Sequence, residues 1–131
     1  MNRETSYKPE NQPRPAEWLA MSEEERLRVV STHHMVNREK SGNAKAHAAI
    51  HVIVENQVAM GFGPTVRAFE RLRQQGLSRH DCIHAVGSVV SEYMFSALRE
   101  PATADSATLQ AQVNAAIERL DAESWRKAYR G

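Results

Sequence analysis

Apolar side chains recur along this chain at helical intervals, and no long alternating run argues for a strand. Pro15 can open a short helical turn that carries Trp18 and Leu19 to a core. Ser22 followed by Glu25 is a capping-box pattern, so a helix starts there and runs to about residue 36, with Leu27, Val30 and His34 on one face. The run NREKSGN is a polar loop. Asn43 suits the cap of a helix reaching about Met60, which Gly61, Gly63 and Pro64 break. Pro64 suits the first position of the next helix and Gly76 its end. Ser78 and Asp81 cap a further helix that runs to about Arg99, with Pro101 just beyond. Ser106 is the expected cap of a last helix bearing Leu109, Val113, Ile117 and Leu120. The pattern predicts an all-α fold, a small bundle of about four to five helices, with residues 15–131 as a single helical domain.

Residues 1–14 break the pattern. They hold Pro9 and Pro13, many polar groups and one aromatic ring, and too little apolar surface to fix their backbone, so a disordered N-terminal arm is expected. The whole chain has 131 residues, enough for one domain with a real core. Hydrophobic residues make up 41% and charged residues 25%, an ordinary globular balance. A formal net charge of +1 gives no global argument for nucleic acid or a membrane surface as partner. Cys82 is the single cysteine, which excludes a disulfide framework and favours a reducing compartment. The N-terminus has no apolar stretch of a signal peptide, and no segment has the roughly 20 apolar residues of a membrane span. The expectation is a cytoplasmic protein, with homo-oligomerisation left open.

The chemistry concentrates in two segments that repeat one spacing. In NAKAHAAIHVIVENQ, His47, His51 and Glu55 stand at i, i+4 and i+8. At about 100° per residue each step drifts by only about 40°, so the three form one stripe. In SRHDCIHAVGSVVSEYMF, His80 and His84 repeat the spacing, and Glu92 follows two turns later. Ile50, Val54 and Val58 mark the apolar face of the first helix, with His47 inside it and His51 and Glu55 along its edge. Ile83, Val90 and Met94 mark that of the second, in the sector of His80 and His84. Inward histidines need partners, because an unpaired buried polar group costs about 1–3 kcal/mol. A divalent cation satisfies several at once.

Short connections around the intervening helix would make these two helices parallel, with their histidines at one level. The candidate ligands are therefore His47, His51, Glu55, His80, His84 and Glu92. His34 is a possible additional ligand, and His33 is expected at the surface. Asn43, Gln57 and Asp81 are candidates for the surrounding hydrogen-bond shell. Imidazoles with carboxylates suit zinc, iron or manganese better than calcium or magnesium, and the number of ligands allows one ion or two.

Blander readings exist for each group. A lone inward histidine is usually a hydrogen-bonded core residue; two such pairs in one small domain are harder to explain that way. Glu55 can instead pair with Arg79 or Arg71, and Glu92 can be a solvated edge residue. Asn56 suits an interhelical hydrogen bond, Cys82 a buried inert thiol, and Arg67, Arg71 and Arg73 a solvated face. No His-Glu-x-x-His, phosphate-cradling glycine loop or nucleophile elbow is present.

The two segments together resemble a bacterial family of small helical proteins of unknown function. Its motif is Asn-x3-His-x3-His-x3-Glu-x-Gln followed by His-x3-His and a carboxylate two turns on. Asn43, His47, His51, Glu55, Gln57, His80, His84 and Glu92 stand at those positions. The resemblance covers roughly residues 43 to 99 and implies a shared fold and site, without an activity. Ser88 stands where some members carry a further carboxylate. The ligand chemistry is also similar to that of di-metal helical bundles, an analogy of site type only.

Three functions compete, the last of them a metal-free protein whose histidines form a hydrogen-bonded core or a pH switch. One is a metal site, mono- or dinuclear, with hydrolytic or oxygen-directed chemistry. The alternative is a metal-stabilised structural or protein-interaction module without catalysis. The sequence does not decide whether the chain is an enzyme.

Overall fold

The computed structural model describes residues 7–36, 44–99 and 105–130. Among them are seven helices and no strand: α1 (Pro15–Ala20), α2 (Glu23–Val36), α3 (Ala44–Ala59), α4 (Gly63–Gln74), α5 (Arg79–Arg99), α6 (Ser106–Glu118) and α7 (Ala122–Arg130). The all-α class is as the pattern predicts; the helix count is higher. Part of the difference is α7, which the apolar spacing ending at Leu120 does not announce. Helix α6 ends at Glu118, and Asp121 starts α7 by accepting the Ser124 N–H at 2.9 Å. A second correction concerns α6, whose cap is Asp105 rather than Ser106: its carboxylate accepts the Thr108 N–H at 3.1 Å. The chain divides into two compact units, Met1–Phe62 and Gly63–Gly131.

In the first unit α3 packs against α1 and α2. The capping box at Ser22 is complete. Ser22 Oγ accepts the Glu25 N–H at 3.1 Å, and Glu25 Oε1 accepts the Ser22 N–H at 3.1 Å, satisfying two donors at the start of α2. The buried face of α2 is carried by Val29 and Val30, whereas Leu27, expected inward, is exposed. With Trp18, Ala48, Val52 and Tyr7 these valines form the unit's core. Asn56 joins the three helices: its Oδ1 accepts Trp18 Nε1 at 2.8 Å and Arg26 Nη1 at 3.0 Å. This is the interhelical role its position suggested.

The segment expected to be a disordered arm is described from Tyr7 onward, and Tyr7 and Pro9 are buried. Tyr7 supplies what the rest of the segment lacks, a large ring to bury and a hydroxyl with partners inside the unit.

In the second unit α4 packs on α5 and α6, and α5 packs on α6. Gly76 ends the turn after α4 at φ 97°, a conformation open to glycine at little cost. Ser78 caps α5, its Oγ accepting the Asp81 N–H at 3.1 Å. The arginines of α4 are not simply a solvated face. Arg71 donates to Leu120 O at 2.8 Å and Ile117 O at 2.9 Å, closing the carbonyl end of α6. Arg67 pairs with Glu118, its Nε 3.0 Å from Oε2. Cys82 is buried, as expected. Among the described residues no helix is long and apolar enough to cross a membrane.

Candidate metal centre

Helix α3 carries the first half of the motif. His51 and Glu55 are each only 1% exposed, among the most buried side chains in the chain, while His47 is half-buried. The face read from Ile50, Val54 and Val58 is thus rotated. Ala48, Val52 and Val54 are buried with His51 and Glu55 at its centre, and Ile50 and Val58 stand at its margins. The i, i+4 spacing stacks the two imidazoles, with ring centroids 5.0 Å apart and planes inclined by 30°.

The buried polar pair His51 and Glu55 meets a group that the motif does not contain. The Tyr7 hydroxyl donates to Glu55 Oε2 at 2.7 Å and lies 3.2 Å from His51 Nδ1. The Tyr7 ring is only 7% exposed and sits among three others. Trp18 is 5.9 Å away, His33 meets it edge-on at 5.7 Å, and His51 meets it edge-on at 6.3 Å. His33 therefore corrects the surface reading: it is half-buried against Tyr7. The cause lies in α2, where the buried stripe runs through both Val29 and Val30, so the position one turn after Val29 faces inward.

Helix α5 carries the second half. His80 and His84 are half-buried near its start, with ring centroids 4.4 Å apart and planes at 57°. Glu92 is exposed, and so is Met94, which the pattern placed on the apolar face. Asp81 is half-buried in the first turn of α5, and Gln57 is half-buried on α3. Asn43 and the side chain of His34 lie outside the described residues.

Each unit thus brings one pair of the expected ligands together, His47 with His51 on α3 and His80 with His84 on α5. Paired imidazoles at this spacing are the donor type that first-row metal ions take. Arg71, weighed as an ion-pair partner for Glu55, is engaged at the end of α6. Arg79 is buried and lies over the Phe69 ring at 5.5 Å.

Tyr7 is the member of this cluster that the motif reading missed. Its partners are 44 and 48 residues further along the chain, and no local spacing links them. The available signal was the single aromatic ring in an otherwise polar leader. Comparison with protein-family models, curated proteins and solved structures returns no match.

Proposed function

We propose that the chain binds a divalent transition metal through its two histidine pairs, His47 with His51 and His80 with His84. The observation that carries this reading is the close pairing of imidazoles within each unit, with ring centroids 5.0 Å apart on α3 and 4.4 Å apart on α5. All four are borne on helices, which hold ligands more firmly than loops do. Imidazoles are the donor set of zinc and of other first-row ions. A bound ion there supplies Lewis acidity and a water that deprotonates near neutral pH. The chain's own residues fix and shield His51: it is buried, and the Tyr7 hydroxyl lies between it and Glu55. Glu92, being exposed, fits a solvated position better than a ligand. The resemblance to the bacterial family of unknown function stands with this reading as a proposal, because that motif contains all four histidines.

One observation favours a second reading. His80 pairs with His84 at least as closely as His47 with His51, and a shell closed by imidazoles alone would make the ion structural. X-ray absorption of the loaded protein separates the two by counting light-atom ligands and bound water.

The test of the shared claim is substitution. His51→Ala and His84→Ala are each expected to lower bound metal and melting temperature together, because metal binding free energy adds to folding free energy. Full metal content and unchanged stability in both variants contradict the assignment.

A further inference from the structure

We infer that the Tyr7 hydroxyl holds His51 in its Nδ1–H tautomer, leaving the Nε2 lone pair to face a metal, and that Glu55 acts through Tyr7 rather than as a ligand. The part concerning ligation rests on the metal reading above; the tautomer does not.

A phenol has one proton to give. Tyr7 donates it to Glu55 Oε2 at 2.7 Å, the short distance of a hydroxyl bound to a carboxylate oxygen. The same hydroxyl oxygen lies 3.2 Å from His51 Nδ1. With its proton committed, the oxygen can only accept there, so Nδ1 carries the hydrogen. A neutral imidazole has one N–H, which leaves Nε2 as the basic nitrogen. The chain of contacts runs from carboxylate to hydroxyl to imidazole. It does the work that a carboxylate or carbonyl does for metal-bound histidines generally, with a tyrosine inserted between.

The surroundings hold this arrangement in place. The Tyr7 ring is confined by Trp18, His33 and His51. Glu55 and His51 are both buried, where water competes poorly for either bond. Glu55 Oε2 is occupied by the Tyr7 proton. The carboxylate at i+8 in the motif is thus a positioning residue. Tyr7 and Glu55 orient His51 and neither touches the ion.

The test is the protonation pattern of the imidazole in the metal-free, nitrogen-15-labelled full chain, read from two-bond proton–nitrogen correlations. Wild type is expected to show His51 protonated at Nδ1 and bare at Nε2. Tyr7→Phe keeps the ring and its packing but removes the acceptor. It is expected to shift His51 towards the Nε2–H form and to weaken zinc binding about 10- to 100-fold by calorimetry. Glu55→Met keeps the volume and removes the proton acceptor. The hydroxyl then donates to Nδ1, and the tautomer is expected to reverse. An Nε2–H form in wild type overturns the inference, as does an Nδ1–H form retained in both variants; the wild-type spectrum decides even where a variant does not fold. Failure of wild type to bind zinc while His51 remains Nδ1–H counts against the metal reading and leaves the tautomer assignment standing.

Discussion

Replacing Asn56 by alanine should destabilise the first unit by about 2 kcal/mol, and the structure lets the sum be built up. Asn56 Oδ1 accepts Trp18 Nε1 at 2.8 Å, and Trp18 is 2% exposed. Removing the amide leaves that indole N–H buried without its acceptor, a cost of about 1–3 kcal/mol. Arg26 also donates to Oδ1, at 3.0 Å, but keeps Glu23 Oε1 at 2.8 Å and the carbonyls of Trp18 and Leu19 at 3.0 Å each. Its loss is therefore small, about 0.5 kcal/mol. Alanine returns about 0.5 kcal/mol through better helix propensity. A net change near 2 kcal/mol corresponds to a fall in melting temperature of roughly 6–10 °C for a chain of this size. The assay is urea unfolding followed by far-ultraviolet circular dichroism, with the slope m compared to confirm that the same surface is exposed. Trp18→Phe removes the other partner, and the double variant should show a coupling of about 1–2 kcal/mol. A change below about 0.5 kcal/mol in Asn56→Ala, or additive single and double variants, would refute the claim that this amide joins α1 to α3.

Arg71→Ala removes both hydrogen bonds from the guanidinium to the last carbonyls around α6, at 2.8 and 2.9 Å, and should cost about 2 kcal/mol by the same assay. Arg71→Lys should recover half of that at most, because an ammonium cannot fork to two carbonyls as a guanidinium does; full recovery would contradict the geometry. Three helix starts predict acid sensitivity. Ser22 lowers Glu25 from its ordinary 4.5, while Thr108 lowers Asp105 and Ser124 lowers Asp121 from their ordinary 3.8, in each case by donating hydrogen bonds to the carboxylate. A depressed folded value means that the stabilisation is present above the ordinary value and is lost as pH falls through and below it. Asp105→Asn still caps α6 but does not titrate, so its melting temperature should decline less than that of wild type between pH 5 and pH 3; superimposable acid profiles would rule out the role given to Asp105.

Much of this architecture was legible because its signals are local. Ser22 with Glu25, Ser78 before Asp81, Pro64 inside a helix start and Gly76 past a helix end each act within a few residues, and each is found in place. The end of α6 was hidden by Leu120, which continues the apolar spacing of Leu109, Val113 and Ile117 although the helix has already stopped at Glu118. Asp121 with Ser124 marked the restart, but an aspartate inside a periodic run is easily read as a solvent-facing position. At the site, the i, i+4 spacing identified the histidine pairs correctly as neighbours. It could not rank depth: Glu55 and His51 turned out more buried than His47 because Ala48 and Val52 pull the face towards them. Tyr7 escaped because its contacts are long-range, and composition alone assigns a polar leader to solvent. The choice between His33 and His34 turned on whether Val29 or Val30 marks the centre of α2's stripe, and both are buried.

The central claim is that this chain holds a metal on its histidines. The most direct measurement is the metal content of tag-free full-length protein, purified without chelator and analysed by plasma mass spectrometry, before and after reconstitution. The account predicts about one to two equivalents of zinc, iron or manganese, lost in His51→Ala and His84→Ala. Protein that carries no metal and takes up none when zinc, iron or manganese is offered would contradict it.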